Sequence, residues 1–295
     1  MRAMFRHALR IGLILASPVL ASQQTVRTPT DLTIYAVSPG EDKSVTLYPI
    51  VIVHRGTDQR YRMDYPALPV ELPKEELQKY ESALIKSGSP VSLFLGGNKL
   101  VMAALRGNPV IGEPGSCFVL SGQVSYSAPA QPLLAASTEE IPGHVSTRRS
   151  ASRAERTILK SLASQWLADY GLDKSLLRQG VLRPVTSTEL RKGGGRAIIG
   201  RFDVKSKTTI HQLFAIAESD GSKYRLTLTN LHVQHDLDDG VDREEQSYVD
   251  QLDLDNDGTD EVIVRNEFYE AWNYVIWRFD SKSWGQIFKG GGGGC

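Results

Sequence analysis

The sequence predicts a β-rich α+β protein. Three observations carry this expectation: short β-branched runs fill both halves, one amphipathic stripe at helical spacing lies between them, and a loop, strand, turn, strand pattern recurs after it. Composition divides the 295 residues into a leader at 1–21, an N-terminal strand-rich α+β domain at 22–126, a linker at 127–150, and a helix plus two degenerate β repeats at 151–295.

The leader is read from MRAMFRHALR, with Arg2, Arg6 and Arg10, followed by IGLILASPVLA. This apolar run is too short to span a bilayer, and Val19 and Ala21 suit signal cleavage, so a mature chain is expected to begin near Ser22. The implied location is periplasmic or secreted, with no integral membrane segment after the signal is removed. The 34 basic and 34 acidic residues balance. Losing the three leader arginines shifts the net charge to about −3, which gives no reason to expect a nucleic-acid partner.

In the N-terminal domain, LYPIVIVHR is a β-branched run, and VSLFL and KLVMAAL flank Gly96, Gly97 and Asn98 as a hairpin would. CFVLSGQVSY alternates like a half-buried strand. ELPKEELQKYESALIKSG, with Pro73 near its start and Gly88 near its end, reads as a helix. Residues 127–150 are rich in Ala, Pro, Ser and Thr without periodicity, the composition of a linker or long loop. Ser152 and Glu155 then form a capping-box pattern, and Ile158, Leu159, Leu162, Ala163, Trp166, Leu167 and Tyr170 follow at helical spacing up to Gly171.

Beyond that helix, a shift of 64 positions sets ELRKGGGRAIIGR, residues 189–201, over DLDNDGTDEVIVR, residues 253–265. A second apolar strand follows each copy when four residues are gapped. Two copies cannot close a propeller, so one sheet that also takes YRLTLTNLHVQH and packs on the helix is expected.

The second copy carries the strongest chemical signal. DLDNDGTDE places Asp253, Asp255 and Asp257 at loop positions 1, 3 and 5, Gly258 at 6, Thr259 at 7 with a backbone carbonyl to offer, and Glu261 at 9. A hard cation needs several oxygens at short range, alternating aspartates deliver them, and the glycine permits the turn. Oxygen ligands favour Ca2+ over zinc or copper. An EF-hand would need glutamate at position 12, where Val264 stands, so that motif is excluded. The alternative is a solvated acidic turn.

The loop, with an acid at position 9 and a β-strand directly after it, resembles the FG-GAP or VCBS-type repeats of integrin-like and bacterial extracellular proteins. The resemblance covers Asp253 to Val264 and implies a metal that rigidifies a turn between two strands. Glu261 stands where that family usually has Asp, which leaves Asp260 as an alternative ligand. The C-terminal stretch also looks like the end of exported bacterial proteins that pair such a loop with a glycine run and a last cysteine, a likeness that implies no activity. The first copy has Glu189, Arg191 and Gly193 in place of the three aspartates and is expected to hold no metal.

Other candidates are weaker. Cys117 and Cys295 are an even pair, and a disulfide between them would stabilise by roughly 5 kcal/mol in the chain-entropy model; two separate thiols are the alternative. GGGGG before Cys295 reads either as a foreign linker or as a tether that lets the cysteine reach its partner. His232 and His235 are spaced to opposite faces of a strand and lack a third zinc ligand nearby. DLDDG at 236–240 falls one residue short of the calcium spacing. Tyr269, Trp272 and Tyr274, with Trp277 and Trp284, either make a ligand surface for sugar or peptide or fill a β-core. GxSxG and HExxH are absent from the sequence.

The expectation is therefore an exported, non-catalytic calcium-binding protein, with a binding or structural role toward an envelope or extracellular protein or glycan. An extracellular hydrolase on a calcium-stabilised scaffold is the alternative.

Overall fold

The computed structural model describes residues 31–40, 43–55, 61–64, 84–110, 120–137, 141, 143–145, 147–235, 244–269 and 271–294. The leader, most of the helix expected before Gly88, the DLDDG loop, Cys117 and Cys295 lie outside them. The described chain is β-rich and built from three antiparallel sheets. Among the described residues, no helix is long and apolar enough to cross a membrane.

The first sheet contains β1 (Leu32–Pro39), β2 (Ser44–Arg55), β3 (Tyr61–Asp64), β4 (Pro90–Leu95), β5 (Asn98–Val110), β6 (Ser121–Ser125) and β7 (Leu134–Ala136). Its order is β1-β7-β4-β5-β6-β2-β3, and a further β1–β2 pairing closes six strands into a barrel with β3 alongside β2. Closure leaves few free strand edges. Alternation along each strand sends one set of side chains inward: Tyr35, Leu47, Leu93, Leu105 and Val124 share the interior. There the Tyr35 hydroxyl donates to the Leu84 carbonyl at 2.6 Å. The opposite set, including Ile34, Ile50, Val53 and Phe94, faces outward into a second core. The expected hairpin is β4–β5, with Gly96 and Gly97 at φ of 60° and 75°.

The linker expectation at 127–150 is corrected in part. Residues 134–136 form β7, fully buried between β1 and β4. Leu-Ala-Ala has no amphipathic alternation because both its faces are covered, so composition concealed it.

The second sheet follows: β8 (Arg149–Ser150), helix α1 (Arg153–Asp169), α2 (Lys174–Arg178), β9 (Val181–Leu182), β10 (Thr186–Glu189), β11 (Arg196–Lys205), β12 (Thr209–Ser219) and β13 (Tyr224–His235). Helix α1 begins at the expected capping box, with Ser152 and Glu155 bonded reciprocally. Leu159, Ala163 and Leu167 lie against Ile198, Phe202, Leu213 and Ala215 on one face of this sheet.

The third sheet is the meander β14 (Glu245–Leu252), β15 (Glu261–Glu267), β16 (Ala271–Phe279) and β17 (Trp284–Gly294). It is covered on both faces, which explains the unbroken Val262-Ile263-Val264 run. Val262 and Val264 meet Ile199, Phe214 and Ile216 of the second sheet. Ile263, with Tyr274, Ile276 and Phe288, meets the outer face of the barrel. The order of layers is helix, second sheet, third sheet, barrel.

The internal repeat extends further than its sequence signal. Thr186↔Ile199, Ser187↔Ile198 and Thr188↔Ala197 pair in β10–β11, and the positions 64 later, Asp250↔Ile263, Gln251↔Val262 and Leu252↔Glu261, pair in β14–β15. After the gap of four, Ile216↔Leu228 corresponds to Ile276↔Phe288, and a bulge follows both Ile216 and Ile276. The turns also match: Asp220 Oδ1 accepts from the Ser222 and Lys223 amides, and Asp280 Oδ1 from those of Lys282 and Ser283. The unit is thus a four-stranded meander, β10–β13 and β14–β17. The expected single sheet is corrected to two sheets packed face to face, because each copy has its own complete set of four strands.

Candidate metal centre

The acidic loop leaves β14 at Asp253 and returns at Glu261, the first residue of β15. Its turn is built from its own aspartates. Asp253 accepts from the amides of Asp257 (3.1 Å) and Gly258 (3.0 Å), and Asp257 accepts from the Thr259 amide at 2.7 Å. Asn256 and Gly258 take positive φ, 63° and 87°, the backbone that Asn and Gly tolerate best. Leu254, buried with Leu252 in the barrel-facing core, anchors the loop, and its amide donates to Glu261 Oε2 at 2.7 Å.

Asp253, Asp255 and Glu261 each bring one carboxylate oxygen to within 4.8 Å of the others. Asp253 and Glu261 are buried, the latter 1% exposed. Burial, reinforced by the neighbouring aspartates, pushes the Glu261 carboxyl up to about 9 and, against the Gly258 amide, that of Asp253 up to about 6. Asp255 is raised by burial and then by Asp257. The Arg278 guanidinium stands 3.8 Å from Asp255. Asp257 and Thr259 are not in the three-carboxylate group; the former closes the turn, and the latter bridges to Arg191 of the first repeat.

The acids at positions 8 and 9 face different neighbours. Glu261 turns toward the aspartates, whereas Asp260 turns away, 2% exposed, and accepts from Gln251 Nε2 at 2.6 Å while lying 2.7 Å from His144 Nε2. That contact holds the His144 imidazole above its ordinary value. The residues around the loop join three parts of the molecule. The Asp260 amide donates to the Leu190 carbonyl, and the Lys192 amide to that of Gly258, so the two repeat loops clasp each other. On the barrel side, the Gly96 amide reaches both oxygens of Asp250 at 3.0 and 2.8 Å, and Arg148 Nη1 lies 2.6 Å from Oδ1. Burial still pushes the Asp250 carboxyl up to about 6.

Sequence reasoning missed His144, Arg148, Asp250 and Gln251. None sits in a recognisable spacing, and each acts across long sequence separations. At the position matched to Asp255, Arg191 stacks on the Phe279 ring at 3.7 Å and pairs with Glu218 at 2.9 Å.

The possible ligand surface is not one surface. Tyr269 is 67% exposed, Tyr274 is buried in the barrel-facing core, and Trp272 packs against that core beneath the Arg265 guanidinium. Trp272 and Tyr274 share a face of β16 because they are two residues apart, and that face is an interior one.

No family model matches the chain, and no curated protein or solved structure matches it.

Two of the three carboxylates are buried, and burying carboxylates together is costly unless a cation neutralises them. Their donor set is all oxygen and anionic, the chemistry of a hard divalent ion. Asp253, Asp255 and Glu261 fit such an ion, and Asp257 stands beside them in the turn.

Proposed function

We propose that this chain is an exported, non-catalytic calcium-binding protein whose metal stabilises the junction of its two repeats, in support of a binding or structural role in the cell envelope or outside the cell. The observation that carries this reading is the convergence of Asp253, Asp255 and buried Glu261 within 4.8 Å at the loop that clasps its counterpart in the first repeat. Calcium would offset the repulsion among these carboxylates and hold the turn that sets the start of β15. The FG-GAP or VCBS-like pattern of the loop, with its glycine at position 6, supports the same reading. Thermal unfolding of the full chain tests it. Calcium added after chelation should raise the melting temperature, and Asp255→Asn should remove most of that rise. An equal loss from Asp255→Asn with and without calcium would oppose the reading.

A further inference from the structure

A strand at the edge of a sheet offers unpaired amides and carbonyls to another chain, and natural edges are blunted by shortness, bulges, Lys or Pro. Among the described residues, β13 pairs with β12 on one side and with no strand on the other. It is 12 residues long, and its register shift comes early, between Leu226 and Leu228. From Leu228 to His235 the pairing with β12 is unbroken, and LTNLHVQH holds no Lys, Arg, Asp, Glu or Pro. These eight residues are a regular edge about 27 Å long without a device against further pairing.

The edge has an apolar shoulder on its helix side. On α1, Lys160 marks the flank turned away from β13, since its Nζ donates to the Gly180 carbonyl and lies over the Phe202 ring of β11. Ile158, Leu162 and Trp166 are about half a turn round the helix from it, on the flank toward β13. With Leu226 and Leu231 of β13 they form the partly exposed border of the helix-side core. The row ends at Tyr170, which is 57% exposed and stacked on Trp166 with ring centroids 5.7 Å apart. Neither this row nor the Leu228–His235 edge carries Lys, Arg, Asp or Glu, so two copies can face each other here without opposing like charges.

We propose that two copies of this chain associate through antiparallel pairing of their β13 edges, about a two-fold axis normal to the second sheet near Leu231. The sheet then runs on through both copies, and the two α1 helices lie side by side with their apolar flanks facing. A second copy suits the surface better than a lone extended peptide because it brings a strand for the edge and a helix for the shoulder together. A strand of this length with one helix beside it covers roughly 500 Å² per copy, at the small end of specific interfaces, so the dimer should dissociate in the micromolar range.

Sedimentation equilibrium of the full chain across low to high micromolar concentrations tests this, and a reversible monomer–dimer equilibrium is expected. Thr229 and Val233 are half-buried on the helix side of the edge, opposite Ala215 and His211 of β12. Thr229→Lys combined with Val233→Lys gives both copies the charge that blunts natural edges, and this variant should stay monomeric throughout. Its melting temperature, taken at a dilution where the unaltered chain is also monomeric, should be close to that of the unaltered chain. Tyr170→Ser, at the exposed end of the helix row, should weaken association severalfold with the fold kept. A monomer at every concentration would overturn the proposal and leave the edge to an extended segment of another protein. A dimer of unchanged affinity in both variants would overturn it equally, by placing the interface elsewhere.

Discussion

Glu261 is the residue on which the metal reading turns. Buried beside two aspartates, it costs stability as a bare carboxylate, a cost that the proposed cation would offset. Glu261→Gln should therefore act with opposite signs: a higher melting temperature in chelator at pH 8, and loss of the calcium-induced rise. Melting curves with and without calcium distinguish this from a merely structural role, in which both would fall. Asp255→Asn should weaken calcium more than Asp257→Asn, because Asp255 belongs to the converging group and Asp257 closes the turn. The raised carboxyls also set a pH dependence. Between the ordinary carboxylate range and about pH 9, the folded calcium-free protein binds more protons than the unfolded chain. Its stability should fall as pH rises through that window, and saturating calcium should flatten the fall. Melting temperatures from pH 5 to 9 in chelator and in calcium check both.

At the scale of elements, the glycine run forms part of the last strand. Pairings from Gly290 to Gly294 place the run in β17, beside Tyr274, Trp272 and Ala271. Gly291 has φ of 67°, and a Cβ there would lie 2.0 Å from the Ile50 carbonyl oxygen of β2; at Gly292 it would lie 1.6 Å from that of Trp272. A side chain at either position would meet backbone, so glycine fits both. Gly291→Ala should destabilise by about 2 kcal/mol or more, while Gly285→Ala, with nothing within 4 Å of its Cβ, should be close to neutral. Chemical denaturation measures both, and equal effects would contradict the packed strand. Helix α1 and the β4–β5 hairpin were legible because their signals are local: a capping box, a helical stripe and a Gly-Gly-Asn turn. The burial of β7 and the glycine packing were not legible, since each depends on a strand far away in sequence. The 64-residue offset was visible where loop residues repeat, but its extension to the outer strands is carried by register and a shared bulge, which side-chain identity does not encode.

At the scale of the molecule, the third sheet holds the rest together. One face completes the core of the second sheet and the other completes the outer core of the barrel. Composition suggested two domains joined by a linker, whereas the cores are shared across that boundary. Calorimetric unfolding of the full chain should accordingly show one cooperative transition, and two well-separated transitions would contradict the shared cores. The acidic loop occupies the position where a local change has the widest reach, with Asp260 and Gly258 paired to the first repeat and Asp250 joined to the barrel turn. Of the candidate site, the loop and its aspartates were readable in sequence; that Glu261 rather than Asp260 faces those aspartates, and that Tyr274 is interior, required the fold.

The most direct measurement is calorimetric calcium titration of the chelated full chain at pH 7 in two buffers of different ionisation enthalpy. The account expects one stoichiometric site and net proton release, because Glu261 with its carboxyl near 9 is protonated at that pH until calcium displaces the proton. No binding at millimolar calcium would contradict the account and leave the aspartates as a turn built for its own backbone.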